Sequence, residues 1–381
     1  MILPKIPAVF ALFALCCAAP LSVSAAEIKS PAETHHFTGA QSCASSSCHG
    51  GGTGRNEFLV YQKKDRHVFA AGILGKGTSL KIAEALGLGE PTKAAQCTVC
   101  HSPMEAVAAT RLATEMMKQA PDRGVSCEAC HGAAGEWLRF HTRKDATYQQ
   151  ILATGLRDLI DVGGRANACV ACHLNLDEKI RQAGHPELFF ELDGQATLEP
   201  PHYVDVRPSI GPRSWITGQA TALREMSWKL STARDERLAV RWKALVWLLQ
   251  MTESGAKELP SGEDFSAMQA AADRLARKVS REVWTKNQLT AQLRKYASSH
   301  KEFADTKADR TELRRRAEVL VPAVDRLWAA LKKEGGVVTP AFEKALASAA
   351  TLSHEGDDFA PADFAKALGE LEAQIDPALK P

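Results

Sequence analysis

Apolar residues in the second half of the chain recur at helical spacing. Phe265, Met268, Ala272, Leu275, Val279 and Val283 form one series. Leu320, Val324, Leu327 and Leu331 form a second, and Phe364, Leu368, Leu371 and Ile375 a third. Steps of three and four residues put each series on one face of an α-helix. Pro361, just ahead of the third series, suits a first helical turn. Leu259-Pro260-Ser261-Gly262 and Gly335-Gly336 interrupt the pattern where helices would end. From Trp215 onward this predicts roughly four to six helices, packed as a bundle or as hairpins. Trp215, Trp228, Trp242, Trp247, Trp284 and Trp328 read as its core fillers. Arg314-Arg315-Arg316, set between Glu312 and Glu318, reads as a solvated helix face, with docking onto an acidic partner as the sharper alternative.

The start of the chain has a different pattern. Lys5 precedes an apolar stretch from Ile6 to Ala19, and Val23-Ser24-Ala25 is a small-x-small cleavage site. This predicts an export leader over 1–25. The stretch is too short to span a bilayer, and no later segment approaches 18 uncharged apolar residues, so an integral membrane protein is not expected. Leu15 before Cys16 is too bulky for a lipoprotein signal. Arg207-Pro208-Ser209-Ile210-Gly211-Pro212 reads as a linker. The expected division is therefore a leader (1–25), a cysteine-rich domain (26–206), a linker (207–214) and a cofactor-free helical domain (215–381). With 381 residues there is enough chain for two domains. Balanced charge, 47 basic against 45 acidic residues, gives no general field for nucleic acid. Aromatics are only 6%, so the first domain must fill its core some other way, as a large flat cofactor would.

The cysteines supply that cofactor. Cleavage of the leader removes Cys16 and Cys17 and leaves eight. Three pairs have the form C-x-x-C-H: Cys97-Thr98-Val99-Cys100-His101, Cys127-Glu128-Ala129-Cys130-His131 and Cys169-Val170-Ala171-Cys172-His173. The fourth is stretched, with Ala44-Ser45-Ser46-Ser47 between Cys43 and Cys48-His49. C-x-x-C-H is the c-type haem attachment signature. Two thiols add to the two vinyl groups on one edge of the ring, and the following imidazole lies under the iron. The small residues of the stretched motif let its loop bulge outward. Disulfides and zinc are the competing readings. A His follows every pair, although His makes up only 12 of 381 residues, and zinc would leave those histidines unexplained. The reading is four covalently attached haem c groups, with His49, His101, His131 and His173 as proximal ligands.

A second axial His makes a haem suited to electron transfer, and an open position makes one that binds small molecules. His67, His141, His185 and His202 fall between the first motif and Tyr203, matching the four irons, and are the candidate distal ligands. His67 lies in a predicted helix, while Pro186 and Pro201 stiffen the backbone beside His185 and His202. His35 and His36 read as an extended tail, and His300 and His354 as solvent-facing.

From Phe37 to Tyr203 the chain resembles the tetrahaem cytochromes of the cytochrome c-554 type and their bacterial multihaem relatives. The matching segments are Cys43-Ala44-Ser45-Ser46-Ser47-Cys48-His49-Gly50-Gly51, Gly124-Val125-Ser126-Cys127-Glu128-Ala129-Cys130-His131-Gly132, Cys169-Val170-Ala171-Cys172-His173, Ala183-Gly184-His185-Pro186 with Phe190-Glu191, and Pro200-Pro201-His202-Tyr203. The resemblance implies a mainly α fold, with little regular sheet and with irons in close pairs. It also implies crossed ligation: His67 on the haem of Cys127 and Cys130, and His141 on the haem of Cys43 and Cys48. His185 and His202 would serve the haems of Cys169/Cys172 and Cys97/Cys100, in either order. In cytochrome c-554 the haem corresponding to Cys97-Cys100-His101 lacks a protein sixth ligand, and the segments carrying His185 and His202 offer one here. The expected function is a periplasmic electron carrier between redox partner proteins: other cytochromes, a quinol-oxidising complex, or a dehydrogenase or reductase. The alternative is an enzyme acting on a small nitrogen or sulfur compound at a five-coordinate haem, for which the haem at His101 is the candidate. No Walker loop, Rossmann fingerprint or hydrolase elbow is present.

Overall fold

The computed structural model describes residues 35–379, apart from 53, 120–121, 175, 199, 201–209, 306 and 336–338. The expected leader and His202 therefore lie outside the described residues. The fold is mainly α. Its β pairing among the described residues is a single bridge, Phe37 to Leu112.

The cysteine-rich part is built from short helices joined by long connections. We label the elements that matter below as α1 (Glu57–Lys64), α2 (Ala95–His101), α3 (Cys127–His131) and α4 (Val162–His173). Three of the four cysteine motifs end a helix, and the motif histidine is the last helical residue of α2, α3 and α4. Each imidazole thus leaves the helix where its backbone geometry is already set. Asp161 starts α4 by accepting the Gly164 N–H at 2.8 Å. The segment Arg66–Gly75, predicted as helical, is a 3-10 helix, and Asp65 accepts the His67 N–H at its start.

Beyond residue 177 come α5 (Glu178–Gln182), α6 (Leu192–Leu198), α7 (Ile210–Thr232), α8 (Glu236–Gln250), α9 (Phe265–Val279), α10 (Lys286–Ala297), α11 (Arg310–Lys333), α12 (Pro340–Ser353) and α13 (Pro361–Leu379). Their starts follow from side-chain chemistry. Asp235, Asp264 and Asp309 each accept an N–H three residues on, and Thr285 forms a capping box with Gln288. The apolar stripes face inward: Met268, Ala271, Ala272, Leu275, Ala276 and Val279 of α9 are all buried. Trp215, Trp328, Tyr296, Phe303, Phe342 and Phe364 fill the centre. Each such side chain contributes roughly 1.5–3 kcal/mol of burial.

Four features differ from the sequence reading. Residues 210–214 of the expected linker are the first turn of α7, with Pro212, Arg213 and Ser214 buried. Pro is tolerated there because first-turn N–H groups have no intrahelical acceptor. The apolar core does not stop at the expected boundary. Val162, Ala166, Val170 and Leu174, on and just beyond α4, join Phe190, Leu192 and the C-terminal helices in one cluster. Val283 lies beyond α9 and is 58% exposed, and Trp228 is 48% exposed. Arg314, Arg315 and Arg316 are not a solvated face. Acidic side chains enclose them, at 3.0 Å from Arg314 to Glu318, 2.8 Å from Arg315 to Glu318 and 3.0 Å from Arg316 to Glu302.

Candidate haem site

All eight motif cysteines line one continuous cavity of about 2300 Å³, together with His49, His67, His101, His131, His141, His173 and His185. Ordinary small-molecule pockets run to roughly 300–1,000 Å³. Ile73, Val99, Ile160 and Leu198 are large apolar residues more than half exposed or nearly so, and all four face this space. Such a wall suits a large apolar occupant rather than water.

Within the cavity, histidines meet in pairs. His49 and His141 have ring centres 6.3 Å apart, with planes 7° from parallel. His101 and His185 are 6.3 Å apart at 59°. His67 and His173 are 6.1 Å apart at 86°. Each pair joins a motif histidine to one outside the motifs. A metal–imidazole bond of about 2.0–2.1 Å on each side, plus about 1.1 Å from each nitrogen to its ring centre, puts two rings about 6.3 Å apart across one ion. The donor pairs thus fit a six-coordinate haem iron. Among the described residues no three His, Cys, Asp or Glu side chains converge, as a closed zinc site would require.

The second ring nitrogen is occupied in all six. His141 Nδ1 meets the Trp137 carbonyl at 3.1 Å, His101 Nδ1 that of Ala70 at 3.3 Å, and His185 Nδ1 that of Pro186 at 2.8 Å. His49 Nδ1 faces Glu57 Oε2 at 3.1 Å and His67 Nδ1 faces Asp65 Oδ1 at 3.1 Å. Gln195 Nε2 lies 3.3 Å from His173 Nδ1. In the first five an acceptor on Nδ1–H fixes the ring's tautomer and direction and leaves Nε2 for a metal; at His173 the Gln195 amide nitrogen is itself a donor, so that contact orients the ring without setting this tautomer. Burial lowers the pKa of His101 and His173, favouring the neutral ring that ligates.

The resemblance placed His67 on the haem of Cys127 and Cys130; the structure brings its ring against His173 instead. The backbone explains part of this. Val125 N–H donates to the His67 carbonyl at 2.9 Å, and a Cβ on Gly124 would fall 2.7 Å from that carbonyl. The backbone of His67 is therefore clamped to the chain just before the third motif, while its ring meets Asp65 and faces His173 of the fourth. The expected tail at His35 and His36 is also packed. His35 lines the cavity, and the His36 carbonyl accepts from Gly135 at 2.8 Å. Far from the cavity, His300 bonds Glu372 at 3.1 Å and His354 caps α12.

The thiols also adjoin across motifs. The Cys127 thiol donates to Cys43, holding Cys43 down at about 7 and pushing Cys127 up. The Cys172 thiol does the same for Cys100. The first motif thus abuts the third, and the second abuts the fourth.

Glu128, inside the third motif, was not singled out by its sequence context. It is 1% exposed and accepts the N–H groups of Thr38 (3.0 Å), Gly39 (2.7 Å) and Ala134 (2.6 Å). Burial raises its pKa, and the three amides oppose that rise. It ties the chain entering the first motif to the third. Glu57, Asp65 and Gln195 were likewise not anticipated. The only sequence signal for Asp65 is its place two residues before a histidine.

Residues 42–132 match the model of the family described as cytochrome c554 and c-prime, a span that holds the first three motifs. No curated protein and no solved structure matches the chain. Residues 42–132 are thus similar to the cytochrome c554 and c-prime family of c-type cytochromes, and the group that fits the cavity is haem c.

Proposed function

We propose that the protein is a periplasmic tetrahaem electron carrier working between redox partner proteins. The observation that carries this is the set of three histidine pairs spaced for one iron each. Cys43 and Cys48, Cys97 and Cys100, Cys127 and Cys130, and Cys169 and Cys172 would hold four haems through thioethers. His49 with His141, His101 with His185, and His173 with His67 would supply axial pairs. His202 is then the remaining candidate to face His131. Bound haem iron supplies one-electron exchange between its ferric and ferrous forms.

The chain's own residues do the rest. Carbonyl and carboxylate acceptors on Nδ1 of His49, His67, His101, His141 and His185 keep those rings aimed in both oxidation states, so little rearranges when charge changes. The apolar wall keeps water from the irons. The contacts of Cys43 with Cys127 and Cys100 with Cys172 support two close haem pairs. Among the described residues no helix is long and apolar enough to cross a membrane, and the expected leader supports a periplasmic location.

His185 opposite His101 favours the carrier over the enzyme reading. Haem quantification of the purified protein should return four per chain, and low-temperature paramagnetic resonance should show only low-spin ferric haem. A high-spin signal that shifts with nitric oxide or cyanide would overturn the carrier reading in favour of a reactive haem.

A further inference from the structure

The C-terminal helices carry no cysteine, yet they hold the chain immediately after His185. Five consecutive residues, 187–191, are gripped from three of these helices. From α8, Arg241 donates to Glu187 Oε1 at 3.1 Å and to the Leu188 carbonyl at 2.8 Å, and its guanidinium lies 4.7 Å from the Phe189 ring centre. From α11, Arg315 donates to the other Glu187 oxygen at 3.2 Å, and Arg326 lies 3.4 Å from Glu191. From α7, Gln219 donates to the Phe190 carbonyl at 3.2 Å.

This is more than surface charge pairing. The side chains of Arg241 and Arg315 are only 15% and 12% exposed. An exposed ion pair contributes little, but a desolvated arginine with several acceptors holds them in one geometry. The segment's other restraints are Pro186, the buried Phe190 ring and the Gln195 amide on the Phe189 carbonyl at 3.1 Å. Between α5 and α6 it makes no regular structure, and Gly184 (φ 113°) lets the chain swing just before His185. Among the described residues His185 itself hydrogen-bonds locally, through its backbone N–H to Ile180 and its ring to the Pro186 carbonyl. An axial ligand must be placed to within about half an ångström.

We propose that Arg241 and Arg315 are positioning residues for His185, and that the C-terminal helices serve to keep the haem at His101 six-coordinate. This rests on the reading that His185 and His101 share an iron. Loosening the grip frees the loop, and the open axial position then takes an external ligand.

The test uses the full-length holoprotein with Arg241→Gln, Glu187→Gln and, as comparator, His185→Ala. Glu187→Gln alters only the loop side, should Arg241→Gln fold poorly. Carbon monoxide binding to the ferrous protein, ferric paramagnetic resonance and thermal melting by circular dichroism are read together. The expected result is that Arg241→Gln and Glu187→Gln each gain one carbon monoxide site per chain and one high-spin ferric signal. Both retain a cooperative melt, and added imidazole restores the low-spin spectrum. If both variants stay fully low-spin while His185→Ala gains a site, the positioning role is wrong. If the wild type already binds carbon monoxide at one haem and His185→Ala adds none, the underlying axial pair is wrong instead.

Discussion

Replacing Glu128 by alanine should be among the most damaging single changes near the haem cavity. The carboxylate accepts three backbone amides, from Thr38, Gly39 and Ala134, at 1% exposure. Alanine leaves all three donors without an acceptor. A buried unsatisfied donor costs about 1–3 kcal/mol, so three cost roughly 3–9 kcal/mol. Two effects reduce this. Removing the carboxylate relieves its own burial cost, which raises its pKa, and water admitted to the gap can satisfy part of the need. A net loss of about 3–5 kcal/mol is the reasoned outcome, against a total of roughly 5–15 kcal/mol for a folded domain. The effect should be local first. Thr38 and Gly39 lead into the turn at Ala40–Cys43, so the chain entering the first motif should detach. Denaturant unfolding followed at the haem absorbance, with limited proteolysis mapping the first cleavage, checks this. Glu128→Gln keeps one acceptor oxygen and should fall between alanine and wild type. A Glu128→Ala protein that loses less than about 1 kcal/mol, with no new cleavage before Cys43, would refute the argument.

Three further outcomes follow from single contacts. Asp65→Asn weakens the acceptor on His67 Nδ1 (3.1 Å) and should raise the potential of one haem, because a carboxylate makes the imidazole a stronger donor to ferric iron; on the order of 50 mV, near a tenfold change in one-electron equilibrium, is expected by spectroelectrochemistry. Glu191 and Asp193 have pKa values raised first by burial, with Arg326 opposing. The folded state therefore holds extra protons, and stability should fall as pH climbs from about 4 through the raised values; melting temperatures should show a flatter profile over that window for Glu191→Gln than for wild type. At Gly218 an added Cβ would lie 2.7 Å from Leu192 Cβ, so Gly218→Ala should push α6 from α7 and cost about 1–3 kcal/mol, seen as a lower melting temperature.

The candidate haem-attachment motifs were legible in the sequence because they are local. A thioether pair and its following imidazole need a few adjacent residues, and Cys97-Thr98-Val99-Cys100-His101 carries all of them. The helical second half was legible too, since its apolar stripes repeat with the helix period. Its edges were not. Pro212 looked like a linker residue, yet it sits in a first helical turn, where a missing N–H costs nothing. Arg315 looked solvated because nothing nearby in sequence shows that Glu187, 128 residues away, closes over it.

Histidine pairing was the part the sequence left open. Any of four histidines could reach any of four motifs, because spacing along a chain of short helices and long connections does not set distance in space. Tertiary contacts made the choice. The Ala70 carbonyl turns His101 toward His185, and Gln195 on α6 sits against His173, which faces His67. The apolar core joining α4 to α7 then carries the fourth motif into the C-terminal helices. Residues close in sequence marked which groups are candidates to hold haem. Packing between distant segments decided which two imidazoles meet, since only the folded chain brings their backbones together.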